Sequence, residues 1–247
     1  MVPLWFGRWA SALLDLVDLK PGEAVLDVAC GTGVTTRLAK RAVGKNGQVI
    51  GLDINSGMLE MAKRLAPDAD IAWTESDVVG IRLPSQSVTA VISQHGYHYF
   101  PDKPVALREF FRLLRPSGRL AMSIWDGHSV YTQALCIAVE KHISSDIAEK
   151  QRSQRVTPSD RDLISDLAAA GFRDVEVRRQ ELMIDVPHAE EFVPLHLGSM
   201  PIADAFHALD QAAQHALISD VSAALSGYTV GGRLIYPDAV NVVLGVK

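Results

Sequence analysis

The chain has 247 residues, of which 48% are hydrophobic and 21% charged, with a net charge of −5. That supplies the core of one large α/β domain, or of one domain with a sizeable insertion. The acid excess, with no run of like charge, argues against a nucleic-acid backbone as partner. Cys30 and Cys136 have no metal-ligand spacing, which points to a reducing, cytoplasmic setting and to no metal site. Met1 to Trp9 lacks the charged and apolar regions of a secretion signal, and no apolar stretch is long and uncharged enough for membrane insertion.

Residues 9–19 follow helical spacing, with Leu13, Leu14, Leu16, Val17 and Leu19 on one broad face, until Lys20-Pro21-Gly22 breaks the pattern. Residues 23–29 are a short apolar run of strand character, followed by Cys30-Gly31-Thr32-Gly33 and a helix over 35–43. A strand over 48–53 leads to a helix over 56–65, with Asn55 or Ser56 as its cap. Strands follow at 71–75, 87–94 and 118–125, with a helix over 104–114 between the last two. This alternation predicts right-handed crossovers and a parallel sheet. Beyond residue 125 the pattern is helical over 129–150 and again from Thr157-Pro158-Ser159-Asp160 to Ala170, where Gly171 caps it. Residues 174–184 have strand character, 188–226 read as helical, and 239–246 form a last strand.

Three successive strand ends carry a carboxylate: Asp27, Asp53 and Asp77. Asp53 stands 20 residues past Gly33. A Gly-x-Gly turn after the first strand, with an acid at the tip of the second, is the nucleoside-binding arrangement of Rossmann-like folds, in which the acid accepts from the ribose hydroxyls. A dinucleotide wants a third glycine, where this chain has Thr36, and its pyrophosphate would be repelled by Asp27. The ammonium and sulfonium of S-adenosylmethionine (SAM) suit those acids better. Asp77 can accept from an adenine amino group, and the Val78 N–H can donate to a ring nitrogen. A lone loop aspartate is more often a helix or turn cap, so the weight rests on the set.

The run Val25-Leu26-Asp27-Val28-Ala29-Cys30-Gly31-Thr32-Gly33 resembles the first motif of class I SAM-dependent methyltransferases, and Gly51 to Leu59 resembles the segment that follows it. Leu107 to Leu120 is similar to the helix-turn-strand element of the ubiquinone/menaquinone-biosynthesis type and its small-molecule relatives, and Leu167 to Phe172 to the approach to strand six. The resemblance covers roughly residues 5–184. It implies an α/β fold: a Rossmann-like seven-stranded, mostly parallel sheet of order 3-2-1-4-5-7-6, with helices on both faces and a helical cap before the last strand. One domain over 1–247 is expected, with helical insertions at about 128–156 and 187–236 capping the acceptor side. The implied cofactor contacts are Asp27, Ala29, Gly31 and Gly33 on the methionyl part, Asp53 on the ribose, Ile54 and Met58 against the adenine, Asp77 and Val78 at its edge, and Gln94 near the methyl. Two departures stand out: Val88-Thr89-Ala90 replaces the usual Phe-Asp-Ala, and Ser117 stands where a glycine is common. Trp5, Phe6 and Trp9 are expected to help close over the cofactor.

Methyl transfer from a sulfonium is an in-line displacement governed largely by positioning, and some acceptors also need a base. His95, just past strand four, is the candidate catalytic residue, weighed against a structural histidine. Trp125 and Asp126 are expected to face the acceptor, while His98, Tyr99 and the cap residues Phe192, His196, Met200 and Phe206 fit packing equally well. Cys30 reads as a small apolar filler. No Asn/Asp-Pro-Pro-Tyr motif follows strand four, which disfavours nucleobase amino groups. The reading adopted is methyl transfer to a small-molecule acceptor on oxygen, carbon or nitrogen, with a homodimer left open. Its rivals are a SAM-binding protein without methyl transfer and a nicotinamide oxidoreductase.

Overall fold

The computed structural model describes residues 5–200 and 202–247. Met1 to Leu4, part of the stretch read for a secretion signal, and Pro201 lie outside the described residues. The strands are β1 (Ala24–Val28), β2 (Gln48–Asp53), β3 (Ala72–Glu75), β4 (Val88–Gln94), β5 (Leu114–Trp125), β6 (Arg173–Pro187), β7 (Thr229–Val230) and β8 (Arg233–Val246). They form one sheet of order β3-β2-β1-β4-β5-β8-β6, with β7 paired to β8. The first five strands are parallel, and β8 is antiparallel to both neighbours. The expected order therefore holds; its seventh strand is β8, because a two-residue strand precedes it.

The central strands are continuous apolar runs because helices cover both faces. In β1, Val25 points to one face and Leu26 and Val28 to the other. The first face is covered by α1 (Phe6–Val17), α2 (Val34–Val43) and α5 (Val130–His142), and the second by α4 (Lys103–Leu113) and α7 (Asp160–Ala169). Helix α1 buries Trp9, Ala10, Leu13 and Val17 in one stripe. Helix α3 (Ser56–Leu65) takes Asn55 as its cap, whose side chain accepts from the Met58 N–H at 3.1 Å. Thr89, the departure in β4, exchanges two hydrogen bonds with the backbone of Ala24 and so pins β4 to the start of β1.

After β5 come α5, α6 (Ser145–Ser153) and α7, and after β6 come α8 (Ala189–Leu197), α9 (Ala203–His207) and α10 (Gln211–Ala224). Helix α10 packs on α5 and α8. The helical insertion expected to reach residue 236 ends earlier: residues 229–230 and 233–236 are strand. Leu234, Tyr236 and Asp238 are buried and alternate with more open neighbours, a period of two rather than 3.6. Gly231 and Gly232, both at positive φ (57° and 76°), make the two-residue turn between β7 and β8. Among the described residues no helix is long and apolar enough to cross a membrane.

Ser117 adopts φ +63°, in the left-handed region, and its N–H donates to the Lys247 carbonyl at 3.1 Å. A non-glycine residue there costs about 1–2 kcal/mol, partly offset by the greater freedom of glycine in the unfolded chain. Ser117→Gly is expected to stabilise the protein by about 0.5–1 kcal/mol in urea denaturation. A loss of stability would mean that this turn is not left-handed in solution.

Candidate active site

The tips of β1 and β2 hold the acids. Asp27 is buried, and its Oδ2 accepts from the Thr36 hydroxyl at 2.6 Å. Its Oδ1 is buried with no hydrogen-bond partner among the described residues. Burial pushes its carboxyl up to about 7; the Thr36 hydroxyl opposes the rise and the charge on Asp53 adds to it. The position expected for a third glycine is thus occupied by the donor that half-satisfies Asp27. Asp53 accepts from the Gly31 N–H at 2.7 Å and the Asn55 N–H at 2.9 Å, so it latches the glycine turn to the tip of β2.

The turn between them bends sharply, with Ala29, Gly31 and Gly33 at φ +55°, +55° and +76°. A Cβ on Gly33 would stand 2.4 Å from the ring of Trp73, a residue of β3. A Cβ on Gly31 would meet nothing within 4 Å, so that backbone faces open space. Ile54 and Met58 expose 68% and 41% of their surface beside the turn. Asp77 accepts from the Val79 N–H at 3.1 Å and lines a cavity of about 450 Å³ at the tip of β3, with Ser76 and Arg82. Val78 is buried.

These features suit a cationic nucleoside ligand: an orphaned buried acceptor at Asp27, an open glycine backbone, a carboxylate at β2 and unpartnered apolar side chains beside it.

The tips of β4 and β5 hold the aromatic half. The Gln94 amide accepts from the Thr35 hydroxyl and donates to the Phe6 carbonyl at 2.9 Å, joining the starts of α1 and α2. His95 sits at φ +57° with its ring stacked on Trp125, centroids 3.8 Å apart and planes 3° from parallel. Both ring nitrogens are buried without a partner among the described residues. Burial, with the charges of Arg155 and His98 adding to it, holds the imidazole well below its usual range, so it is neutral at physiological pH. The guanidinium of Arg155 lies 3.9 Å from the Trp125 ring centroid and makes a bidentate pair with Asp238 of β8 at 2.8–2.9 Å. Trp5 closes the cluster against Trp125, Tyr131, Phe192 and His196. The Tyr131 hydroxyl and His196 Nδ1 are 2.7 Å apart.

The structure therefore gathers Asp27, Gly31, Gly33 and Asp53 at one end, Ile54, Met58, Asp77 and Val78 beside them, and Gln94 and His95 at the next strand tip. Asp126 does not join them: it pairs with Arg179 of β6 at 2.7 Å, drawn outward by that charge. Phe192, His196 and Phe206 are core residues. Cys30 is a buried free thiol whose pKa is raised by burial and by Asp27 and Asp53, which suits a filler. Sequence reasoning missed Arg155, Asp238 and Tyr131. No motif marks them, because they come from three separate elements; only the isolated acid inside the apolar run of β8 was a signal.

Residues 25–118 match the family described as methyltransferase domain. The chain is 36% identical over 115 residues to a 2-phytyl-1,4-naphtoquinone methyltransferase of Thermosynechococcus vestitus, covering 46% of this chain and 51% of that protein. It is 34% identical over 116 residues to a ubiquinone/menaquinone biosynthesis C-methyltransferase of Hahella chejuensis, covering 45% and 47%. The chain thus spans about half the length of these curated relatives. Among solved structures it is similar to phosphoethanolamine N-methyltransferase 2 of Haemonchus contortus, with a TM-score of 0.63, 20% identity, and coverage of 97% of this chain and 52% of that one. At that identity the likeness is one of fold.

The folded state holds the Asp27 proton to about pH 7, whereas the unfolded chain releases it near 3.8. Between those values the folded chain binds more protons than the unfolded one, so this group makes stability fall as pH rises. Asp27→Asn is expected to flatten that fall and to stabilise the free protein at pH 8 by about 1–3 kcal/mol, the electrostatic relief being reduced by the amide's own unpaired N–H. An unchanged pH profile in denaturant melts would mean that Asp27 is ionised in the folded protein throughout.

Proposed function

We propose that the chain, which matches a methyltransferase domain over residues 25–118, is a class I SAM-dependent methyltransferase that transfers a methyl group to a small-molecule acceptor held against the tips of β4 and β5. The observation that carries the proposal is the buried, unpartnered Oδ1 of Asp27 beside the open glycine turn. A buried acceptor left unpaired costs about 1–3 kcal/mol, and an ammonium delivered there removes that cost. The match to known methyltransferases over residues 25–118 ends before α5, α6 and α8–α10. The acceptor is therefore read from this chain's own residues.

In this reading Asp27 receives the methionyl ammonium, and Ala29, Gly31 and Gly33 bring the backbone against the amino-acid part. Asp53 keeps its two backbone latches and uses its remaining lone pairs on the ribose. Ile54 and Met58 cover the adenine, with Asp77 and Val78 at its edge. SAM, when bound, supplies an electrophilic methyl group. Gln94 orients the strand tip next to it through Thr35 and Phe6. His95 is neutral, so a ring nitrogen can orient the acceptor by a hydrogen bond; the burial that keeps it neutral also weakens it as a base, and its stack on Trp125 fixes the ring plane. The aromatic cluster around Trp5 excludes water from this side. Helices α5, α6 and α8–α10 serve as the acceptor-side cap of a single domain. The buried free thiols fit a cytoplasmic setting.

Calorimetric titration with S-adenosylhomocysteine tests the cofactor half. Affinity is expected to rise up to about tenfold per pH unit below pH 7 and to level off above it, because binding favours the ionised form of Asp27. Asp53→Ala is expected to weaken binding by about 1.5–3 kcal/mol. Binding of NADH instead would overturn the cofactor assignment. For the acceptor half, His95→Asn is the suitable variant, because asparagine tolerates the left-handed backbone at this position. It should lower turnover about 10²-fold or more with the cofactor affinity unchanged. Full activity would leave His95 a structural residue.

A further inference from the structure

Between the turn after β4 and the end of α6 lies a cavity of about 310 Å³. Lys103, from the start of α4, and Lys150, from α6, both line it, together with His98, Tyr99, Gln154 and Val156. No carboxylate lines it. Neither lysine makes an ion pair among the described residues. The nearby acids are engaged elsewhere: Glu149 faces Arg152 at 3.6 Å, and Asp166 accepts from the Tyr97 hydroxyl at 3.4 Å. His98 turns a buried Nε2 with no partner among the described residues. Burial and the charges of Lys103 and Arg155 bring its imidazole down to about 4, so at neutral pH the ring is uncharged and free to donate one N–H. Tyr99 and Val156 expose 61% and 66% of their surface at the cavity rim, and the Tyr99 hydroxyl donates to Gln154 at 3.2 Å.

Lys103 donates to the Phe100 carbonyl at 3.4 Å and lies 5.4 Å from the Tyr97 ring centroid, contacts that supply no negative charge. Two ammonium groups without a carboxylate partner and an unpartnered imidazole around one cavity therefore present donors and positive potential. Solvated surface lysines alone would carry no meaning. Here they share a concave site with an orphaned buried nitrogen and the exposed side chains of Tyr99 and Val156. The site is also close to the reacting centre, because two residues separate His98 from His95, a Cα–Cα span of no more than about 11 Å.

We propose that this cavity anchors the acceptor, and that the acceptor is a small anionic molecule with an apolar, ring-sized body. Its carboxylate or phosphate lies between Lys103 and Lys150 within reach of His98, and its body rests on Tyr99 and Val156. The assignment rests on the methyltransferase reading above and names the substrate class of that same site. It also separates the two ligands by charge: the cationic cofactor goes to the acids of β1 and β2, and the anionic acceptor to the lysines beyond β4.

The full chain, saturated with S-adenosylhomocysteine, is titrated by saturation-transfer NMR with benzoate and phenyl phosphate, and with the uncharged benzamide and benzyl alcohol. One or both anions are expected to bind at least ~tenfold tighter than the neutral molecules, a difference of about 1.4 kcal/mol. The stronger of the two tells carboxylate from phosphate. The Lys103→Gln/Lys150→Gln double variant should lose that preference and keep the S-adenosylhomocysteine affinity. Equal binding of anions and neutrals, binding of none of the four, or a preference that survives in the double variant would each overturn the proposal. Failure of S-adenosylhomocysteine to bind the unmodified chain would instead strike the methyltransferase reading. It is seen before any probe is added, and the anion preference is then measured in the free chain.

Discussion

The guanidinium of Arg155 is only 6% exposed and is held by Asp238 of β8, by the Gly127 carbonyl after β5 and by the face of Trp125. Taking such a charge out of water costs several kcal/mol unless its donors are matched, so the surrounding elements must meet it in a fixed arrangement. The end of α6, the turn after β5 and the middle of β8 are thereby tied at one point. The same charge reaches the rings around it: with burial, it helps to keep His95, His98 and His196 in their neutral forms. The aromatic half of the site is thus an array of uncharged donors and acceptors organised by one buried cation and its single carboxylate.

The opposite pole is at β1 and β2. Asp27 is buried with one oxygen satisfied by Thr36 and the other unpartnered, while Asp53 spends its oxygens on two backbone N–H groups. The glycine turn that Asp53 latches presents its backbone to the same space. The acids of β1 and β2 thus stand apart from the neutral aromatic half, and on the proposed reading this division by charge separates cofactor from acceptor.

Two of the six non-glycine residues found at positive φ among the described residues stand where these halves meet. Ala29, past β1, and His95, past β4, are non-glycine residues at φ +55° and +57°, and β1 and β4 are paired neighbours. Left-handed residues of this kind cost of order 1–3 kcal/mol each and persist where the surroundings over-determine them. Around His95 the surroundings are visible: its N–H donates to the Ser123 carbonyl at 2.9 Å, and its ring is stacked on Trp125. The bend turns the His95 side chain off the strand and onto the aromatic cluster.

The parallel half of the fold was legible in the sequence because it is written locally. Apolar runs at strand spacing, the glycine turn after β1 and the acids at three strand tips each sit within a few residues of one another, so periodicity and turn chemistry determine them. The last hairpin was partly hidden, since the alternation of Leu234, Tyr236 and Asp238 is short and follows a long helical stretch; Gly231-Gly232 was its one clear mark. What only the tertiary structure decided is the acceptor side. The Arg155–Asp238 pair joins residues 83 apart, and the Tyr131–His196 contact residues 65 apart. No local pattern links such partners, because their energy comes from mutual burial that exists only after β5, β8 and the helices between them have packed. Lys103, Lys150 and His98 are likewise unremarkable in sequence, and they acquire a shared cavity only when α6 folds back against the turn after β4.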